Sequence, residues 1–130
     1  MSKTLDENQI ATIQAYDEEK RLSYLLKEVT SERKIWILTD EHGCVMLNND
    51  DEDCVPVWPN AEFAQAWATG EWKDCKTESI SLAKWQSRWT SGLMDDDLAI
   101  VVFPNLDDEG LIMFPDEFDM ALQKQAKKNR

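Results

Sequence analysis

Residues 57–72, VWPNAEFAQAWATGEW, constrain the fold more than any other stretch, because three of the six tryptophans fall within one strand-stop-helix-stop pattern. Pro56 and Pro59 hold the residues before them extended, since a proline ring clashes with a helical predecessor. The spacing predicts a short edge strand over Val55–Pro59. Asn60 is suited to cap a helix that runs to about Thr69, with Phe63 and Trp67 stacked one turn apart and Gly70 placed to end it in the left-handed conformation. An aromatic stripe therefore faces inward.

On either side of this stretch the apolar pattern alternates between helix and strand periods. Asp6, Gln9, Leu5 and Ile10 form a capping box and staple for a first helix to about Ala15. Asp17 caps a second, in which Leu22, Leu25, Leu26 and Val29 recur at helical spacing. Lys34–Thr39, KIWILT, is apolar on both strand faces and predicts a central strand, followed by a turn at Asp40–Gly43 and a hairpin strand over Cys44–Leu47. Asn48–Asp53 is expected to be an acidic loop. Residues 73–80 end in a short strand, and Ser81 caps a helix carrying Leu82, Trp85 and Trp89 that Gly92 is expected to stop. Leu98–Phe103, LAIVVF, predicts the sheet centre and pairs antiparallel with Leu111–Phe114. Pro115 opens a last helix with acids in its first turn and lysines in its last, as the helix dipole favours.

The predicted order is α-α-β-β-β-α-β-α-β-β-α, an α+β fold with a mostly antiparallel sheet and helices packed on it. The 130 residues fit one domain, a helical segment at 5–30 followed by an α+β body at 34–127.

The net charge of −12 is unevenly placed. Residues 35–72 carry eight acids and no base, residues 89–123 nine acids and no base, and residues 124–130 four bases. Clustered charge makes a field where scattered charge does not. Such a surface repels phosphates and anionic headgroups, so neither nucleic acid nor a membrane is an expected partner, and a basic protein is. The start, MSKTLDENQ, has no secretory leader pattern, and no window is apolar enough to span a bilayer. Three widely spaced cysteines without a C-x-x-C pair suit a reducing compartment, so the expected location is cytoplasmic.

Catalytic signatures are missing. His42 is the one histidine, in a turn that breaks any pairing with Cys44. Asn49–Asp53 and Asp107–Glu109 lack the alternating acids and central glycine of a calcium loop. Four scattered glycines make no phosphate cradle. No catalytic, metal or cofactor residue is assigned.

Two kinds of contact residue remain. Trp67, Trp85 and Trp89 sit on helical stripes and belong to the core, whereas Trp58 and Trp72 flank their helix and are candidates to line a groove. The acids Asp50, Asp51, Asp53, Asp95, Asp96 and Asp97 are candidates for an acidic face drawn from residues 40–53 and 95–109. The expected function is a noncatalytic protein-interaction module; the alternatives are a small-ligand binder with a tryptophan-lined groove and an enzyme with an unrecognised carboxylate site.

Trp36, Val57-Trp58-Pro59, Phe63-Ala64, Gly70-Glu71-Trp72, Ile80-x-Leu82, Trp89 and Val102-Phe103-Pro104 together resemble the bacterial domain-of-unknown-function 2750 family, over about Leu22 to Leu122. The W-P step followed by G-E-W is the most specific part. The resemblance implies fold boundaries and brings no activity, substrate or catalytic residue with it. Some relatives are expected to carry a histidine after the W-P step; Asn60 stands there in this chain, so the resemblance supports no general base at that position.

Overall fold

A computed structural model describes residues 7–41, 43–49, 52–104 and 111–128. Helix α1 (Glu7–Gln14) leads into α2 (Glu18–Glu32), whose first turn is capped by Asp17: its carboxylate accepts from the Lys20 amide at 2.9 Å. Leu25 and Val29 on the inner stripe of α2 are wholly buried. Arg33 ends the helix at φ 59°, donating its amide to the Val29 carbonyl, and the chain turns directly into β1 (Lys34–Asp40). The capping box at Leu5 and Asp6 lies outside the described residues.

β1 is central as its two-sided apolar pattern predicts, with Ile35, Ile37 and Leu38 all buried. It pairs antiparallel with β2 (Gly43–Cys44) and with β5 (Lys76–Ser81), where Thr39 stands opposite Lys76. The second sheet runs β3 (Leu47–Asn49), β4 (Glu52–Val57), β6 (Ala99–Val102), β7 (Leu111–Met113). Trp36 and Trp58 join the two sheets by exchanging backbone hydrogen bonds of 3.0 and 2.9 Å. The fold is α+β; every ladder is antiparallel except β4 with β6, which makes the second sheet mixed.

Several expectations are corrected. β4 is interior, lying between β3 and β6, and not an edge. Pro56 is tolerated there because its missing N–H points away from β6, into the gap between the last β3 pair, Leu47 with Cys54, and the Trp36–Trp58 bridge. The Asn48–Asp53 stretch is not a free loop: Asn48 stands opposite Asp53 and Asn49 opposite Glu52 in the ladder of β3 with β4.

Helix α3 (Ala61–Trp67) ends before Gly70, which instead opens a 3₁₀ turn (Gly70–Trp72) at φ 59°. Asn60 makes no side-chain cap; its amide oxygen accepts from the Tyr24 hydroxyl at 3.4 Å. Ser81 does cap, accepting from the Lys84 amide at 3.2 Å. The helix after it is one run of α4 (Leu82–Lys84), a π-helical segment (Trp85–Trp89) and α5 (Thr90–Asp95). In the π segment Trp85 stacks on Trp89 at 5.3 Å and 10°, and Thr90 donates its hydroxyl to the Trp85 carbonyl. Gly92 lies inside α5 and does not stop it. The stop is a Schellman turn, with Leu98 N–H bonded to Leu93 O, Asp97 N–H to Met94 O, and Asp97 itself at φ 57°.

Helix α6 (Pro115–Lys128) packs on α2 and α5 and buries Phe118 and Leu122. β6 is buried along its whole length, as LAIVVF predicts. No helix among the described residues is long and apolar enough to cross a membrane.

Candidate functional site

Strand register decides where the acids gather. Cys54 pairs with Ala99 in the parallel ladder, so Asp53 stands level with Leu98 at the start of both strands. Ile100 pairs with Met113 in the antiparallel ladder, so the chain before Ala99 runs alongside the chain after Met113, and Asp97 comes level with Asp116. The Schellman turn thus meets the first turn of α6. Between them lies a cleft of about 420 Å³ lined by Met94, Asp97, Leu98, Ala99, Phe114, Pro115 and Asp116. Met94 is 47 % exposed and Phe114 57 % exposed, large apolar surfaces between two carboxylates. Asp53, Asp95 and Asp96 are also exposed at this end. Asp50 and Asp51 lie outside the described residues, as do His42 and Asp107–Glu109.

The conformation of Asp97 costs something. A left-handed φ of 57° suits glycine, and a side chain there is strained by about 1–2 kcal/mol, less for Asp and Asn than for others. Asp97 therefore holds a carboxylate at the cleft mouth where the backbone would be easier for glycine. Sequence reasoning singled out Asp95–Asp97 as part of an acidic face, and it missed Met94, Phe114 and Asp116, because only the pairing of β6 with β7 brings these together.

At the opposite end of the β4–β6 pair the tryptophan expected to line a groove is buried. Trp58 has 0 % exposure, and its indole Nε1 donates to the Pro104 carbonyl at 3.0 Å. The large apolar ring and its single polar atom are both satisfied by the interior, so Trp58 offers no surface to a ligand. Beside it, Phe103 sits at φ 49° with its carbonyl accepting from Arg21 Nε at 3.1 Å. Arg21 is buried and donates through Nη1 to the Tyr16 carbonyl at 2.6 Å. Tyr24, Phe63 and Phe103 form an aromatic cluster with centroids 4.8 to 6.3 Å apart. The Val57-Trp58-Pro59 and Val102-Phe103-Pro104 steps are thus bonded to each other, and what they secure is the sheet.

Trp72 fares differently. It is half-buried and stacks on Trp67 at 5.8 Å and 29°, and Trp67 in turn lies 5.5 Å from Trp58. The remaining surface of Trp72 lines a second cleft, of about 550 Å³, with Asp40, Glu41, Asp74, Cys75 and Lys76. Burial, then the Asp40 and Asp74 carboxylates, push the Cys75 thiol up from its ordinary value, which keeps it protonated and a poor nucleophile. Among the described residues no three His, Cys, Asp or Glu side chains come together as a metal site.

The chain matches the family model described as "Protein of unknown function (DUF2750)" over residues 22–122, and it belongs to that family. No curated protein and no solved structure gives a significant match.

Proposed function

We propose that this DUF2750 protein is a noncatalytic interaction module that binds a basic segment of another protein at the Met94–Phe114 end of the sheet. The observation that carries the reading is the meeting of Asp97 and Asp116, from separate stretches of chain, at one cleft with exposed apolar walls, with Asp53 exposed at the same end of the sheet. The sequence places eight and nine acids in two stretches without a single base, and both stretches contribute acids to this end.

The chemistry selects the occupant. Lysine or arginine side chains meet the carboxylates, and one apolar side chain between them enters the space between Met94 and Phe114. Apolar contact supplies affinity; the charges steer the encounter and reject acidic partners. Binding of this kind weakens as salt rises, because exposed charges are screened beyond about 8 Å at physiological ionic strength.

The experiment is a titration of the protein with a short peptide of alternating lysine and leucine, read by backbone amide shifts. The reading predicts shifts concentrated at Asp53, Met94–Ala99 and Phe114–Asp116, and affinity that falls with salt. Shifts spread evenly over every acidic segment, or none, would contradict it.

A further inference from the structure

The outer face of α6 is uncovered. Phe118 and Leu122 are buried on its inner side, and on the opposite side Asp116, Met120, Gln123 and Lys127 form a narrow stripe in which all four are exposed. Met120 is 67 % exposed, the highest of the large apolar residues described. The steps of four, three and four residues are those of a coiled-coil seam, and they read the same from either end. Charge is segregated along the same helix, with Asp116, Glu117 and Asp119 before its midpoint and Lys124, Lys127 and Lys128 after it. No acid stands three or four residues from a lysine, so the helix cannot pair these charges with one another. The helix dipole accounts for where the charges sit, but not for an exposed methionine between them. Two groups beside the stripe are already ordered: Glu117 folds back to accept from the Phe114 amide at 3.2 Å, and Gln123 Nε2 donates to Asp119 Oδ2 at 2.9 Å.

We infer that α6 pairs antiparallel with α6 of a second copy of this chain about a two-fold axis. A stripe that is symmetric about its midpoint, with opposite charges at its two ends, is self-complementary when one copy is reversed. Asp116 then faces Lys127 of the second copy, Met120 faces its Gln123, and Asp119 comes level with its Lys124, each contact occurring twice. Parallel pairing would set acid on acid and lysine on lysine. Exposed ion pairs add little affinity, so they fix direction and register while Met120 and the lysine stems cover apolar surface. A seam of 14 residues, about 21 Å long, is at the small end of specific interfaces, and the net charge of −12 opposes association at low salt. The dimer is therefore weak, with a dissociation constant on the order of 100 μM at physiological ionic strength, where repulsion is screened beyond about 8 Å. The inference does not rest on peptide binding: Asp116 belongs to both surfaces, and Lys127 to the dimer alone.

The test is sedimentation equilibrium of the full chain from about 10 μM to about 1 mM at physiological ionic strength. Wild type is expected to pass from monomer to dimer across this range. Asp116→Lys and Lys127→Glu each set like charges against each other at both ends of the seam, and each is expected to weaken the dimer at least about tenfold. An equimolar mixture of the two variants is expected to restore association, because each then offers the other an opposite charge at both ends. Both positions are exposed, and recovery in the mixture shows at once that both variants are folded. A monomer at every concentration overturns the inference. So does a dimer that Lys127→Glu leaves intact, or a mixture that associates no better than either variant alone.

Discussion

Asp97 and Asp116 line one cleft, although one sits in a Schellman turn and the other in the first turn of α6. Their meeting follows from the pairing of Ile100 with Met113, which sets the two chain segments side by side beyond the end of the ladder. Both carboxylates have local structural settings, and Asp116 also suits the positive end of its helix. The left-handed backbone of Asp97 is held by the hydrogen bonds of the Schellman turn, which glycine would make equally well, so its carboxylate separates a binding role from a folding role.

Asp97→Gly is expected to raise stability by ~0.5–1 kcal/mol, because glycine removes the left-handed strain, while weakening the basic peptide. Asp97→Asn keeps a residue that tolerates this conformation and removes only the charge, so it should weaken binding with stability nearly unchanged. Urea melts and peptide titrations on both variants check this. A loss of stability in Asp97→Gly would show that the carboxylate serves the fold.

Trp58→Phe removes the bond to the Pro104 carbonyl and leaves space in a fully buried site. The expected cost is ~2–4 kcal/mol, the sum of an unsatisfied buried acceptor and a partly collapsed cavity. It should appear as a lower urea midpoint with an unchanged slope. A near-neutral result would mean that the Trp36–Trp58 junction is held by the backbone alone.

Tyr24 gives a pH signature. Burial first, then the nearby Glu28 and Glu62 carboxylates, push its phenol well above the ordinary value of 10.0. The folded phenol then keeps its proton while the unfolded one ionises, so the unfolded state binds fewer protons above pH 10. The stability this group contributes is fully present below that pH and is lost as pH rises past it. Wild type should therefore lose more stability than Tyr24→Phe between roughly pH 10 and 12. Parallel curves for the two proteins would contradict the burial of the hydroxyl.

Cys75 should alkylate slowly near pH 8, because its neighbours disfavour the thiolate. Asp74→Asn removes one of those negative neighbours and should speed the reaction, measured on the peptide that contains Cys75. An unchanged rate would place the Asp74 carboxylate away from the thiol and weaken the case for a shared cleft.

The two apolar strands, the Asp17 and Ser81 caps, the β6–β7 hairpin and the acidic clusters were legible because each rests on local periodicity or local hydrogen bonding. The parallel pairing of β4 with β6 was not, since its register depends on a long crossover that no local signal specifies. Pro56 argued for an edge strand, and the argument failed because only one flank of β4 is open at that residue. Gly92 looked like a helix stop, yet the wider turn at Trp85–Trp89 and the tolerance of Asp97 for a left-handed backbone carried the helix past it. Trp58 and Trp72 looked alike in sequence; tertiary packing buried one and left the other on a cleft wall. The meeting of Asp97 with Asp116, and the placing of Asp53 at the same end of the sheet, came from register, which is the part of a sheet that charge patterning along the chain does not encode.

The most direct measurement compares the lysine–leucine peptide affinity of wild type, of Asp53→Asn/Asp97→Asn/Asp116→Asn, and of a control with three acids neutralised elsewhere, Glu19→Gln/Glu32→Gln/Glu78→Gln. Both variants change net charge equally, so a simple loss of overall attraction affects them alike. The account predicts that the first loses at least about tenfold in affinity while the control stays within about twofold of wild type. Equal losses in the two variants would contradict it, and would leave the acidic end of the sheet with no binding role of its own.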